Sequence, residues 1–277
     1  MNQAIAIFDS GLGGLTVVKE LTRWLPHEDL VYFGDTARVP YGTKSAQTVI
    51  RFSMEIADFL MAFDPKIIVV ACNTASATAL VELRERVKVP VLGVIEPGAS
   101  AAVVASRTGR IGVIGTEATV RSRAYQRAIL NIRPAASVFA QPCPLLVPIV
   151  EEGRTSDDPV VVHAVHGYLA PLVRNEIDVL ILGCTHYPLL HDVIAAEVGG
   201  RVVMINSARE TARAVADVLD RLHLAAASSN LPTYRFFASD NPDRFATVGR
   251  RFMGEVLRDV QLAVLGEGEA RLPQHSL

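Results

Sequence analysis

Two stretches of the sequence decide its fold class, Val69-Val70-Ala71-Cys72-Asn73-Thr74 and Leu180-Ile181-Leu182-Gly183-Cys184-Thr185-His186. Each begins with an apolar run that is too short for a helix, and each continues with a cysteine and polar side chains. This pattern is typical of a buried parallel strand with a thiol at its carboxyl end, where open α/β sheets bind their ligands. We therefore predict an α/β fold with two related half-sites that face each other across one substrate.

The size and composition indicate a globular protein. The chain has 277 residues, and 50% of them are hydrophobic, which allows a substantial core in one or two domains. The formal net charge is −2, without a long run of one sign, which argues against a nucleic-acid groove or a polybasic membrane patch. The N-terminus lacks a basic segment, and no stretch reaches about 18 uninterrupted apolar residues, so neither a signal peptide nor a membrane span is predicted. We expect a cytoplasmic protein.

The three cysteines, Cys72, Cys143 and Cys184, are too few and too scattered for a disulfide framework, so we expect free thiols. Buried cysteine is common in protein cores, which leaves a structural role open for each of them. Cys72 and Cys184 are followed by dense hydrogen-bonding groups at predicted helix starts, where N–H groups and the helix dipole favour a thiolate or a carboxylate. This placement favours a functional role for these two cysteines.

Strands and helices are predicted to alternate along the chain. The predicted strands are residues 4–8, 30–33, 67–71, 90–94, 110–116, 179–183, 202–205 and 234–238. The predicted helices are residues 15–24, 46–63, 76–86, 120–130, 207–222 and 244–252. The segment 225–230 is predicted to be a loop, and the residues from 266 onward a frayed end.

The second half of the sequence repeats the beginning of the first. The strand at 110–116 and the helix at 120–130 repeat the opening strand, turn and helix, and Ser10 and Thr116 fall at comparable places. Each half also has a cysteine at the end of a later strand. This repeat suggests an ancestral duplication.

Residue spacing tests several other chemistries. A zinc site would need a Cys-x-x-Cys pair, but the chain offers only Cys184-x-His186 and the distant Cys143, so no metal is expected. A cysteine phosphatase would need an arginine in the loop after Cys72, which has none. No Gly-Lys-Ser/Thr follows the Gly11–Gly14 turn, and Thr16 replaces the last glycine of the dinucleotide motif. This turn either is merely tight or binds a carboxylate at the next helix.

Several motifs resemble those of the glutamate racemase family and occur in the family's order within residues 1 to about 210. They are Phe8-Asp9-Ser10-Gly11-Leu12-Gly13-Gly14, Gly34-Asp35-Thr36, Pro40-Tyr41-Gly42, Ala71-Cys72-Asn73-Thr74-Ala75, Gly115-Thr116, Glu151-Glu152-Gly153 and Gly183-Cys184-Thr185-His186-Tyr187-Pro188. In the last motif, His186 occupies the position where the related aspartate racemases typically have glutamate. The resemblance implies two pseudo-symmetric α/β domains with mainly parallel sheets, flanking helices and a site between them. It implies a first domain of residues 1–95 completed by 208–277, a second of residues 96–207, and no cofactor.

Racemisation of an amino acid makes a specific demand on the site. A weakly acidic proton must leave one face of the α-carbon and another must reach the opposite face, so two groups must flank one planar intermediate. Cys72 and Cys184 on two half-sites meet this demand. A free thiol has a pKa of about 8.5, so each needs a neighbour that holds or takes its proton. The resemblance implies Asp9 for Cys72, and His186 with Glu151 for Cys184.

The resemblance also implies the substrate-binding residues, although Glu152, beside Glu151, stays an alternative partner of His186. The implied binding residues are Asp9, Ser10, Pro40, Tyr41, Gly42, Asn73, Thr74, Thr116, Thr185 and His186. Hydroxyl, amide and backbone N–H groups would hold the substrate without a buried lysine or arginine. Tyr41 is expected to pack at the mouth of the site rather than react. Trp24, Cys143, His163 and His166 are expected to be structural or surface residues.

We therefore expect a cofactor-independent racemase that interconverts L- and D-glutamate and, in bacteria, supplies D-glutamate for peptidoglycan. A homodimer is expected. An aspartate or broad-specificity amino-acid racemase is the alternative within enzymes. A non-catalytic binding role is the alternative outside them. Some family members are reported to inhibit DNA gyrase, but the net charge of −2 gives that role no support.

Overall fold

The computed structural model of the chain describes residues 3–265, so the predicted frayed end from residue 266 lies outside the described residues. The described strands are β1 (Ile5–Asp9), β2 (Leu30–Gly34), β3 (Ile67–Val70), β4 (Val91–Gly93), β5 (Arg110–Gly115), β6 (Ser137–Pro142), β7 (Val179–Gly183), β8 (Val203–Asn206), β9 (Tyr234–Ala238) and β10 (Val260–Leu262). The described α-helices are α1 (Leu15–Trp24), α2 (Ala46–Met61), α3 (Asn73–Thr78), α4 (Leu80–Arg86), α5 (Ile95–Ala105), α6 (Glu117–Arg121), α7 (Ala124–Ile132), α8 (Leu146–Glu151), α9 (Pro159–Arg174), α10 (His191–Val198), α11 (Ser207–Arg221) and α12 (Pro242–Met253). Within residues 3–265, no helix combines the length and the apolar character needed to cross a membrane.

The first sheet has six parallel strands in the order β10-β9-β2-β1-β3-β4. In β1, Ile7 pairs with Tyr32 of β2 and with Val69 of β3. Alternate residues of β1 enter different cores, because Ile7 belongs to one cluster of buried side chains and Phe8 to the other. A strand with both faces buried needs an unbroken apolar run, which explains the sequence pattern.

The second sheet has four parallel strands in the order β6-β5-β7-β8. Its central pair is β5 and β7, where Val113 lies opposite Ile181. The predicted fold class, two α/β units with parallel sheets and flanking helices, is confirmed.

The C-terminal part of the chain returns to the first sheet. Phe237 of β9 pairs with Phe33 of β2, and β10 adds a further strand beside β9. Helix α11 packs against both α1 and α5, and so connects the two halves. The exact domain boundaries, residues 1–95 with 208–277 and residues 96–207, stay a prediction.

The sheet directions bring the polar strand ends together. Because the strands of each described sheet are parallel, their carboxyl ends lie along one edge of that sheet. Ser10 follows β1 and Cys72 lies just beyond β3 in the first sheet, while Thr116 follows β5 and Cys184 follows β7 in the second. This arrangement is the repeat that the sequence indicated.

Three predicted helix starts or spans are wrong. The helix predicted at 76–86 is two helices, α3 and α4, separated at Ala79, whose backbone (φ −116°, ψ −1°) departs from regular helical geometry. The helix predicted at 120–130 is also divided, because Arg123 has a positive φ of 55°. Cys184 is followed by the 3₁₀ turn Tyr187–Leu190 rather than an α-helix, and the buried Tyr187 hydroxyl donates to the Cys143 carbonyl and holds this tighter turn.

Several elements of the second half lacked a clear sequence signal. Edge strand β6 is only partly buried, so it has no continuous apolar run. Helix α9 is rich in β-branched valine and contains Pro171, both of which disfavour helix. It forms because the Asp158 carboxylate caps its N-terminus by accepting the Val160 N–H at 2.8 Å, and Pro159 occupies the first turn.

A buried ion pair beside the first sheet makes hydrogen bonds to the connection after α11. This pair allows a prediction about stability. Lys66, just before β3, pairs with Glu28, and both side chains are 2% exposed. Lys66 Nζ also donates to the Leu224 carbonyl at 2.8 Å, and Glu28 Oε1 accepts the Ala226 N–H at 2.7 Å. Lys66→Met should lower the free energy of unfolding by about 3–5 kcal/mol, because it leaves Glu28 buried without a counter-charge. Urea unfolding followed by circular dichroism measures the loss.

The matched control is Lys88→Met, because Lys88 is exposed. Its effect should stay within about 0.5 kcal/mol of zero. If the two substitutions have equal effects, the buried pair does not stabilise the fold in the way described.

Candidate active site

A cavity of about 360 Å³ lies where the carboxyl ends of the two sheets meet. Its lining includes all but one of the residues that the sequence analysis singled out as catalytic or binding. Those lining residues are Ser10, Pro40, Tyr41, Gly42, Cys72, Asn73, Thr74, Thr116, Glu151, Cys184, Thr185 and His186. The exception, Asp9, is 1% exposed and lies behind the wall. The cavity is therefore shared by both halves of the chain.

Cys72 is the N-cap residue of α3 and is 5% exposed. Its thiol donates to Ser10 Oγ over 3.6 Å. Burial, reinforced by the charge of Asp9, raises the pKa of Cys72 to about 12, although N–H and hydroxyl groups of Ala75 and Ser10 oppose the change. Cys72 is therefore held as a protonated thiol at neutral pH, a proton donor in its resting form.

Asp9 is the titratable neighbour of Cys72. Burial raises the pKa of the Asp9 carboxyl, while the positive charge of His186 and the N–H groups of Gly14 and Gly11 lower it in part. Oδ2 accepts the Gly11 N–H at 3.1 Å, whereas Oδ1 is buried without a hydrogen-bond partner among residues 3–265. This oxygen without a partner is the atom of Asp9 that can accept a proton.

Cys184 has different neighbours, His186 and Glu151, which follow one another away from the sulfur. Its Sγ lies 3.8 Å from His186 Nδ1, and His186 Nε2 lies 2.9 Å from Glu151 Oε1. Burial lowers the pKa of His186, but the hydrogen bonds and negative charges of Cys184 and Glu151 outweigh burial and raise it to about 10. The imidazole is therefore charged at neutral pH and can stabilise a thiolate at Cys184.

The structure separates the two candidate glutamates. Glu151 contacts His186, whereas the carboxylate of Glu152 pairs with Arg154 at 2.9 Å on the surface. The contact of Glu151 with His186 makes it the geometric partner in the second half-site.

The glycine turn after β1 allows the two halves to approach closely. A Cβ on Gly13 would lie 2.2 Å from Thr185 Oγ1 and 2.5 Å from His186 Nδ1, so a side chain cannot fit there. Thr16 Oγ1 donates to the Thr185 carbonyl at 3.1 Å across the same contact. The sequence is compatible with either a tight turn or a carboxylate site here, and the structure shows close packing of the turn against the second half.

Three threonines join the halves on another side of the cavity. Thr74 Oγ1 lies 2.9 Å from Thr116 Oγ1, and Thr119 Oγ1 is 3.0 Å from Thr116 and 3.3 Å from Thr74. A Cβ on Gly42 would be 2.9 Å from the Thr116 Cβ, so this loop also needs glycine. Thr119 was missed from the sequence, although the spacing Thr116-x-x-Thr119 is that of a helix cap, and Thr116 does accept the Thr119 N–H.

Asn73 is oriented by a residue that the sequence did not indicate. Tyr125 donates its hydroxyl hydrogen to Asn73 Oδ1 at 2.7 Å. Asn73 Nδ2 is buried and has no hydrogen-bond partner within the described residues, so this amide can donate to a ligand.

Tyr41 is anchored from behind rather than exposed at the mouth, since only 1% of its surface is accessible. Its hydroxyl donates to Asp35 Oδ2 at 2.5 Å, and Asp35 also accepts from Ser239 Oγ at 2.9 Å and from Arg38 Nε at 2.7 Å. Burial and the Asp35 charge raise the pKa of Tyr41, so it stays protonated. It fixes the loop of Pro40 and Gly42 against the cavity.

The residues expected to be structural or on the surface do not line the cavity. Trp24 is 43% exposed, and the His163 and His166 side chains are on the surface. Cys143 is fully buried, and its carbonyl accepts from Tyr187. All three cysteines are free thiols. Within residues 3–265, no three His, Cys, Asp or Glu side chains form a group of the kind that holds a metal ion.

Residues 11–215 match the protein family described as Asp/Glu/Hydantoin racemase, a match over more than half of the chain. The chain belongs to this family. Glutamate racemase of Geobacter metallireducens is 52% identical over 268 residues, which are 96% of this chain and 99% of the relative. The resemblance stated from the motifs is therefore confirmed, and the chain is an amino-acid racemase, an isomerase.

Solved structures of relatives share the fold. A glutamate racemase isoform of Bacillus anthracis is 40% identical, with a TM-score of 0.90 over 95% of this chain and 97% of that chain. Glutamate racemase of Francisella tularensis, solved in complex with D-glutamate, is 38% identical, with a TM-score of 0.87 over 94% of this chain and 97% of that chain.

The charge of His186 can be tested directly by NMR. Because the pKa of His186 is raised to about 10, the imidazolium should persist through neutral pH and be lost only as the pH approaches that value. Glu151→Gln should lower this pKa by about one to three units, because it removes an adjacent negative charge. Chemical shifts of the His186 ring, followed against pH, measure the change.

Glu152→Gln is the matched control and should leave the His186 titration where it is, because Glu152 pairs with Arg154 instead. A wild-type His186 that is neutral at pH 7, or equal shifts in the two variants, would contradict the assigned contact.

Proposed function

We propose that the chain is a glutamate racemase that interconverts L- and D-glutamate with two cysteines and no cofactor. One observation carries the proposal: Cys72 and Cys184, from different sheets, line one cavity, and each has its own titratable neighbour. The relatives named glutamate racemase along nearly the whole chain support the choice of substrate.

The proton transfers follow from the two different environments. When Cys184 is a thiolate and Cys72 a thiol, the Cys184 sulfur takes the α-proton and the electron pair of the broken C–H bond stays on a planar carbanion. The Cys72 thiol then gives its proton to the opposite face. Cys184 is left as thiol and Cys72 as thiolate, which is the state that runs the reverse reaction. By family resemblance, Cys184 serves L-glutamate and Cys72 serves D-glutamate.

The neighbouring groups make both protonation states accessible. Positively charged His186, held by Glu151, stabilises the Cys184 thiolate. Asp9, a buried carboxyl with a raised pKa, takes the proton that Cys72 must release to start from D-glutamate. Proteins commonly use local charge and burial to adjust the pKa of a catalytic base, so that it works near neutral pH.

Neutral donors are proposed to bind the substrate. Ser10, Asn73, Thr74, Thr116 and Thr185 line the cavity, with the loop backbone at Gly42, whereas no lysine or arginine of the described residues does. Asn73 Nδ2, which lacks a partner in residues 3–265, is available to a substrate carboxylate. The Francisella tularensis relative that binds D-glutamate supports this choice of ligand.

The wider biological setting is part of the proposal. We infer a cytoplasmic homodimer whose D-glutamate, in a bacterium, enters peptidoglycan precursors. Aspartate is the competing substrate, and a comparison of turnover on the two acids separates the alternatives. Gyrase inhibition stays the non-catalytic alternative, and supercoiling assays with a catalytically dead variant test it.

Chiral analysis of metal-stripped protein is the primary test. With L-glutamate alone, and without pyridoxal phosphate, the mixture should approach equal amounts of the two enantiomers, because they have equal free energy in achiral solvent. Thiol alkylation should abolish the reaction, and glutamate should protect against alkylation. Loss of activity on chelation with recovery on adding zinc, or faster turnover of aspartate than glutamate, would overturn the corresponding part of the proposal.

Removing one thiol at a time tests the two-base mechanism. In heavy water, Cys72→Ala should lose racemisation but still exchange the α-proton of L-glutamate with retention, because Cys184 can remove and return a proton on its own face. Cys184→Ala should exchange only D-glutamate. Proton NMR of the α-position measures both. Unimpaired racemisation by either variant rejects the mechanism, and exchange with the opposite enantiomer preference reverses the assignment of faces.

A further inference from the structure

Helix α12 reaches from the side of the first sheet to the ring of His186. The Phe252 ring, 2% exposed, makes a T-shaped contact with the imidazole, with ring centroids 5.8 Å apart and planes at 90°. This is a favoured geometry for two rings. Phe252 is separated from His186 by 66 residues of sequence, and nothing in the motif around His186 points to it.

The imidazole has little freedom elsewhere. Gly13 approaches so closely that a Cβ there would lie 2.5 Å from both Cε1 and Nδ1 of His186. The nitrogen Nε2 is bound to Glu151 at 2.9 Å, whereas Nδ1 lies 3.8 Å from the Cys184 sulfur. The distance from Nδ1 to sulfur is long for a hydrogen bond. A small rotation of the ring therefore decides whether Nδ1 and the Cys184 sulfur can exchange a proton.

The same end of α12 also contacts the turn that carries Glu151. A Cβ on Gly153 would fall 1.6 Å from Arg251 Nη1, so the guanidinium lies directly against the backbone two residues after Glu151. Arg251 and Phe252 are consecutive, and between them they contact Gly153, two residues after Glu151, and the ring of His186. The C-terminal end of helix α12 therefore lies against the His186 side of the site.

We propose that Phe252 is a positioning residue for His186, holding the ring where it connects Cys184 to Glu151. The inference rests on the proposed racemase function. Phe252 does not line the cavity, so its path to the chemistry runs through the imidazole that it contacts. Its loss slows the half-reaction that Cys184 performs and spares the half-reaction of Cys72, which uses Asp9.

The single-thiol variants separate these half-reactions. Phe252→Leu keeps an apolar side chain but removes the ring. Added to Cys72→Ala, it should slow the Cys184-dependent deuterium exchange of glutamate by at least about tenfold, since misplacement of a catalytic group by about 1 Å can cost that much or more. Added to Cys184→Ala, it should leave the Cys72-dependent exchange close to its previous rate. Phe252→Tyr, which retains a ring, should keep more exchange than Phe252→Leu.

The matched control is Phe245→Leu on the same helix. Phe245 is 1% exposed, and its ring centroid lies 6.1 Å from that of Tyr32, so Phe245→Leu removes an aromatic ring from α12 and leaves the ring at His186 in place. It should not slow the Cys184-dependent exchange more than the Cys72-dependent exchange, because Tyr32 donates its hydroxyl hydrogen to the Gly11 carbonyl, on the side of Asp9 and Cys72. If Phe252→Leu slows both half-reactions equally, or slows neither, Phe252 has no positioning role.

An NMR titration of His186 keeps the inference testable even if single-thiol exchange is too slow to measure or the racemase function is wrong. In otherwise wild-type protein, Phe252→Leu should broaden the His186 ring signals and shift their titration to lower pH, because the contacts with Glu151 and Cys184 loosen. Phe245→Leu should leave both unchanged. An unaltered His186 titration in Phe252→Leu overturns the inference, whereas absence of racemisation by the wild-type protein overturns only the proposed function.

Discussion

The site depends on a positive charge kept on a buried imidazole. Burial alone would leave His186 neutral, because removing a charged group from water is unfavourable. Glu151 and Cys184, at the two ring nitrogens, reverse that preference and raise the pKa of His186 to about 10. The short Gly13 contact and the end of α12 meet at the same ring, so two contacts between the halves converge on this one group.

The two half-sites place different titratable neighbours beside their thiols. The strand ends of the two sheets follow the same pattern. In each sheet a hydroxyl side chain follows one strand and a cysteine follows another. Cys72 nevertheless has a carboxyl neighbour whose negative charge favours the protonated thiol, whereas the neighbour of Cys184 is the cationic imidazole of His186. The two thiols therefore lie in electrostatically different surroundings, although the strand ends that carry them are related.

Small residues and hydroxyl groups, rather than large apolar surfaces, form the contacts across the cavity. Gly13 and Gly42 carry no side chain where the backbone of one half meets the other, and the threonine cluster pairs hydroxyls from both halves. Tyr41 keeps its loop in place through Asp35, outside the cavity. The hydroxyl and amide groups of the lining therefore face the cavity.

The sequence by itself determined the α/β class, the central strands and the two cysteines at their ends, because a buried parallel strand requires a continuous apolar run that stops at the sheet edge. It also indicated Asp9, Glu151 and His186, which lie within or beside recognisable motifs. It could not indicate strand β6, whose edge position leaves it half-exposed, or the break of helix α6 from α7 at Arg123. Only the tertiary structure decided that Glu151 rather than Glu152 meets His186, that Tyr125 orients Asn73 and that Phe252 reaches the imidazole. These contacts join residues far apart in the chain, and their geometry depends on how two sheets and the returning C-terminal helix pack, which local sequence patterns do not encode.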